Sequence, residues 1–170
     1  MGIVLRRLSK KGTEMQSDDV AEIAKRAALE TYLLVKAPLI VEDTGLFIES
    51  LGGFPGPYAS FVDRTLGPVS ILRLMEGVRL RGAEFVSAVA FCHDPSKARV
   101  FVGRLRGRIA RRASGNNGFG FDPIFVPEGG DKTLAELSLT GKAEISHRSL
   151  ALRAFGAWLN SCSSGQRLSA

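Results

Sequence analysis

Apolar residues recur at helical spacing from Val20 onward: Val20, Ile23, Ala24, Ala27 and Ala28, then Tyr32 and Leu33. Ser17 stands ahead of them as an N-cap, with Asp18 and Asp19 in the first turn where the helix dipole favours acids. Pro38 ends the run, so the pattern predicts a helix over Ser17–Val35. Short apolar runs at Ile3–Leu5, Leu39–Val41 and Leu46–Glu49 read as strands, and Pro68 opens a short helix reaching Met75. Glu84–His93 and Ala98–Ala110 flank the turn "HDPSK" and are expected to pair as an antiparallel hairpin. A glycine-rich region follows, with a strand expected at Ile124–Val126. The last helix is expected from about Ser146, with Leu150, Ala154, Phe155, Trp158 and Leu159 on one face and a frayed tail over 163–170. No repeat or linker divides the chain. One mixed α/β domain over 1–170 is the expectation.

Composition narrows the partners. Hydrophobic residues make up 45% and charged residues 24% of the chain, the balance of a soluble globular protein. No apolar run approaches the roughly 18 residues that span a bilayer, and "MGIVLRRLSKKG" has no secretory-signal pattern. Cys92 and Cys162 fit no metal spacing, which points to a reduced, cytoplasmic protein. The net charge of +6 suits an anionic partner or serves solubility alone. The densest basic cluster, "GRLRGRIARR", reads either as a nucleic-acid patch or as a half-solvated edge strand. Its alternation, with Leu105 and Ile109 on one face, favours the strand, so nucleic acid is not the expected partner.

Chemistry enters at "LIVEDTGLFIESLGGFPGPY", where two adjacent carboxylates interrupt an apolar run. Glu42 and Asp43, with Glu14 upstream, are either a solvated turn or hard oxygen ligands for Mg²⁺. In "NNGFGFDPIF", glycines on both sides of Phe119 allow a close backbone approach or only a tight turn. Phe119 and Phe121 beside Asp122 offer a stacking surface for a flat base, or simply join the core. Lys142, His147 and Arg148 in "GKAEISHRS" gather donors near a helix N-terminus, a place that favours anions. The chain has no GxxxxGK[ST] loop, zinc cluster or GxSxG elbow. Acids for a metal, cations for phosphate and aromatics for a base suggest a nucleotide hydrolase.

At these residues the sequence resembles the inosine/xanthosine triphosphate pyrophosphatase family, through "VEDTGL", "LGGFPGPY", "GFGFDPIF" and "KAEISHR" in order, with "EMQSDD" similar to its glutamate-bearing loop. The resemblance implies an elongated sheet whose two lobes enclose a nucleotide cleft, usually in a homodimer. It implies Mg²⁺-dependent cleavage of ITP, dITP or XTP between the α- and β-phosphates, giving monophosphate and pyrophosphate. Carried over, Asp43 is the proton acceptor and a metal ligand, Glu14 the other acidic metal residue, and Glu42 a support. Thr44 touches the phosphates or their metal. Phe119 stacks on the base, Gly120, Phe121 and Asp122 complete that pocket, Lys142 serves the nucleotide, and His147 and Arg148 reach the base edge. Arginine only donates, so Arg148 at that edge welcomes a 6-oxo group and repels the 6-amino group of adenine.

Two departures stand out. The family's opening strand and Gly-Asn-x-x-Lys phosphate loop have no counterpart ahead of the first helix, which implies a start placed too far downstream, a shortened chain, or a partly lost site. Ser60 also stands where some relatives carry a basic residue. Rival readings are a nucleotide pyrophosphatase of other base selectivity and a basic nucleic-acid-binding or scaffold protein.

Overall fold

The computed structural model describes residues 5–8 and 15–165. Glu14 and the expected strand residues Ile3 and Val4 lie outside them, as does the tail over 166–170, and Leu5 has no regular structure. The first helix, α1 (Val20–Val35), begins later than the pattern predicts, because Asp19 rather than Ser17 caps it. The Asp19 carboxylate accepts the Ala21 N–H at 2.8 Å, while Ser17 accepts the Asp19 N–H at 3.2 Å. Lys36 closes the helix in the left-handed conformation, and its N–H returns to the Tyr32 carbonyl. Val20, Ala24 and Ala28 are buried; Leu33, expected on the same stripe, is exposed.

The two short strands expected around the acidic pair are one continuous strand, β1 (Leu39–Ile48), which runs straight through Glu42 and Asp43. It pairs antiparallel along its whole length with β3 (Gly82–Asp94). β3 in turn pairs with β4 (Lys97–Ile109), which is the expected hairpin. A two-residue β2 (Pro55–Gly56) joins β1 at Leu46 and Phe47, and β5 (Phe125–Pro127) joins β4 at its end. The sheet is therefore five-stranded and antiparallel, in the order β2-β1-β3-β4-β5. Between β2 and β3 lie α2 (Ala59–Thr65), which the pattern did not predict, and α3 (Gly67–Leu74), the helix expected from Pro68. The chain closes with α4 (Leu139–Ile145), also unpredicted, and α5 (His147–Gly165), which carries the first part of the expected frayed tail.

Successive strand residues point to opposite faces, and here the faces carry different cores. On one, Leu39, Val86, Ala88, Ala90 and Cys92 meet α1. On the other, Val89, Phe91 and Phe101 meet Ala151, Phe155 and Trp158 of α5. The buried stripe of α5 thus runs through Ala151 and Phe155, while Leu150 is exposed. Further along that second face a third cluster gathers Leu46, Ile48, Phe85, Ile71, Met75, Phe121 and Phe125 under α2 and α3. Two apolar lobes therefore share one sheet face. Between them lie Glu42, Thr44 and Ser87, a polar gap at the middle of the sheet.

Candidate functional site

The gap is furnished from β1 and β3. Thr44 and Ser87 are direct cross-strand partners, so both hydroxyls point to the same face as Glu42. Glu42 Oε1 accepts from the Ser87 hydroxyl at 2.6 Å and from the Thr44 hydroxyl. Arg148 Nε, reaching down from the first turn of α5, lies 3.1 Å from the same oxygen. Burial by itself raises a carboxyl pKa, but the Ser87 and Thr44 hydrogen bonds and the Arg148 charge outweigh it and hold Glu42 below the usual glutamate range. Glu42 is thus an ionised anchor for Arg148.

Alternation turns Asp43 the other way, onto the face that carries Leu39, Val41 and α1. Asp43 is half-buried in mid-strand, not at the strand end expected from the sequence. Glu42 and Asp43, adjacent in the chain, therefore serve opposite faces of β1.

The second wall is the loop before β5. Gly118 and Gly120 both take positive φ, 81° and 60°, a conformation open to glycine with little strain. They lift Phe119 out of the core, leaving its side chain 66% exposed, while Phe121 is buried in the lobe beneath. The buried Asp122 carboxylate fixes this turn by accepting the Phe119 N–H at 2.7 Å and pairing with Lys142 of α4. A Cβ at Gly118 would overlap that carboxylate, so the glycine is required by the approach as well as by its φ. Lys142 Nζ then lies 4.6 Å and Arg148 Cζ 5.4 Å from the centre of the Phe119 ring, within cation–π range.

His147 completes the third wall. It is buried, stacked on Phe85 with centroids 4.6 Å apart and planes 11° from parallel. Burial, aided by the charges of Arg148 and Lys142 and opposed by Glu42, lowers its pKa to about 4. His147 is therefore neutral at physiological pH. The α5 N-terminus reaches the sheet because Gly103 of β4, the partner of Ser87, has no side chain. A Cβ there would overlap the His147 carbonyl oxygen and lie 2.6 Å from the Ala151 nitrogen. Neither Ser87 nor Gly103 was flagged by sequence pattern; each matters through a partner distant in the chain.

The structure thus gathers Glu42, Thr44, Phe119, Asp122, Lys142, His147 and Arg148 on one side of the sheet, with Gly120 in the same turn. It places Asp43 across the strand from them. Among the described residues no group of three or more His, Cys, Asp and Glu forms a metal cluster. Magnesium is usually held by one or two carboxylates plus substrate phosphates, and Asp43 offers a carboxylate of that kind.

These geometric features coincide with a family match. The Ham1 family model matches residues 3–158. The chain belongs to the Ham1 family. Curated relatives agree: a dITP/XTP pyrophosphatase of Methanopyrus kandleri is 48% identical over 157 residues, covering 92% of this chain and 84% of the relative. One of Saccharolobus solfataricus is 46% identical over 159 residues, covering 94% and 82%. Among solved structures, a HAM1 protein from Coxiella burnetii superposes with a TM-score of 0.83 at 28% identity, over 89% of this chain and 81% of that one. A Mycobacterium abscessus nucleoside-triphosphatase / dITP/XTP pyrophosphatase gives a TM-score of 0.74 at 33% identity, over 87% and 79%.

Proposed function

We propose that this Ham1-family chain hydrolyses deaminated purine nucleoside triphosphates (ITP, dITP and XTP) to the monophosphate and pyrophosphate. The observation that carries the reading is the exposed Phe119 ring, with the Arg148 guanidinium, paired with Glu42, 5.4 Å from its centre. A purine stacking on the exposed ring would meet the Arg148 guanidinium at its edge. There a 6-oxo group accepts and a 6-amino group leaves a donor facing a donor. One such unpaired donor costs on the order of 1–3 kcal/mol, roughly ten- to hundredfold in preference. The names of the relatives support the same substrate class.

Lys142, neutral His147 and Thr44 lie on the same face as Arg148, and Thr44 would touch the phosphates from that face. Asp43 would orient the attacking water, accept its proton, and hold Mg²⁺ together with Glu14, which lies outside the described residues. Mg²⁺ bound there would neutralise charge on the phosphates.

A second copy of the chain is the proposed partner. Phe54, Tyr58, Phe61, Leu66 and Val69, all exposed, run along the loop after β1 and through α2 and α3, a stretch of apolar surface that suits an interface. No helix among the described residues is long and apolar enough to cross a membrane. Free Cys92 and Cys162 support a reducing, cytoplasmic setting. The test of the base site is a substrate panel on Phe119→Ala and Arg148→Leu. Phe119→Ala is expected to raise KM for ITP at least tenfold, and Arg148→Leu to erase the preference for ITP over ATP. Unchanged preference in both variants would contradict the reading.

A further inference from the structure

Ser87 lies on β3, completely buried, with no place in any recognised motif. Its hydroxyl donates to Glu42 Oε1 at 2.6 Å, the atom that also receives Thr44 and lies 3.1 Å from Arg148 Nε. A carboxylate on a strand has several rotamers open to it. Two hydroxyls from neighbouring strands leave this one a single direction. Arg148 approaches it through Nε, and the guanidinium carbon lies over the Phe119 ring, 5.4 Å from its centre. Opposite Ser87 on β4, Gly103 lets the α5 backbone settle onto the sheet, which sets the height from which Arg148 descends.

We infer that Ser87 is a specificity-determining positioning residue: through Glu42 it fixes the Arg148 guanidinium so that its terminal N–H groups discriminate a 6-oxo from a 6-amino purine. The inference rests on the nucleotide reading above, and it adds a residue that touches no substrate. Removing the hydroxyl loses a hydrogen bond to a charged group, and Glu42 regains rotamer freedom. Arg148 then keeps its charge near the base but loses its fixed orientation. Discrimination suffers more than turnover.

The test compares wild type with Ser87→Ala and Ser87→Cys, after thermal melts confirm that each variant folds. The hydroxyl's contribution predicts that Ser87→Ala narrows the ITP-over-ATP ratio of kcat/KM by about tenfold. Most of the change is expected in KM for ITP, with ATP turnover nearly unchanged. Ser87→Cys, whose thiol donates weakly, is expected to fall between. A nucleotide-free readout accompanies these assays: the Arg148 guanidinium resonance in a ¹H–¹⁵N spectrum is expected to shift and broaden in Ser87→Ala relative to wild type. Equal losses on ITP and ATP would show a merely structural role, and an unaltered ratio with an unaltered resonance would overturn the inference outright. A wild-type chain inactive on ITP would sink the pyrophosphatase reading and the selectivity role with it.

Discussion

Asp43 is where the account is most exposed to a single substitution. Asp43→Asn keeps the shape and the strand pairing and removes the proposed base. A positioned general base contributes roughly 10²–10⁴-fold, so turnover is expected to fall by about that factor while a nucleotide titration shows binding within a few-fold of wild type. His147 offers a test of a different kind. Its pKa is lowered to about 4 in the folded protein, below the ordinary value near 6.5. The unfolded chain therefore binds the extra proton first as pH falls. The stability from neutral His147 is fully present above about pH 6.5 and is lost progressively between there and pH 4, at no more than about 1.4 kcal/mol per pH unit. Denaturant melts of wild type and His147→Asn across that window are expected to converge as pH falls. Parallel curves would show that burial does not depress this histidine.

At the scale of elements, the meeting of α5 with the sheet is the point of leverage. Gly103→Ala would drive a methyl group into the backbone of α5 at His147, an atom that cannot rotate away. Overpacking of this sort costs typically about 1–3 kcal/mol. Activity is expected to fall further than stability alone explains, because Arg148 and His147 move with the helix; crystal structures of the variant and an ITP assay check both. The same meeting explains why the sequence was legible in some elements and not others. The helix from Val20, the hairpin of β3 and β4, and the helix after Pro68 follow from local periodicity, which folding preserves. The acidic pair looked like a strand end because, of the residues nearby in the chain, Thr44 alone helps to satisfy Glu42. Ser87 and Arg148 do so from β3 and α5, and the strand continues. Asp19 displaced Ser17 as the cap because three capping residues stand together and only backbone geometry chooses among them. Phe119, Asp122, Lys142, His147 and Arg148 each stood out singly in the sequence, and the fold brings them to one side of the sheet. That Glu42 and Asp43 face opposite ways follows from strand alternation alone, once the strand is known to be continuous.

The described residues form two apolar lobes on one face of the sheet and a further core under α1 on the other. Arg81 ties one end together, donating to the Ile109, Met75 and Ala110 carbonyls at 2.7, 2.8 and 2.7 Å. The basic run along β4 is partly engaged as well: Arg104 lies 2.8 Å and Arg106 3.5 Å from Glu84. These surface pairs add little stability, and they lie along β4, the strand that the alternation predicted. The exposed apolar stretch from Phe54 to Val69 predicts a dimer. Light scattering is expected to give twice the chain mass for wild type and a monomer for Phe61→Glu; a wild-type monomer at micromolar concentration would remove that partner.

The most direct measurement incubates the chain with Mg²⁺ and, in turn, ITP, XTP, GTP and ATP, and identifies both products by chromatography and ³¹P NMR. Inosine monophosphate with pyrophosphate, and ATP left nearly intact, is the predicted outcome. Release of orthophosphate, or equal consumption of ATP and ITP, would contradict a site built to read the 6-oxo edge.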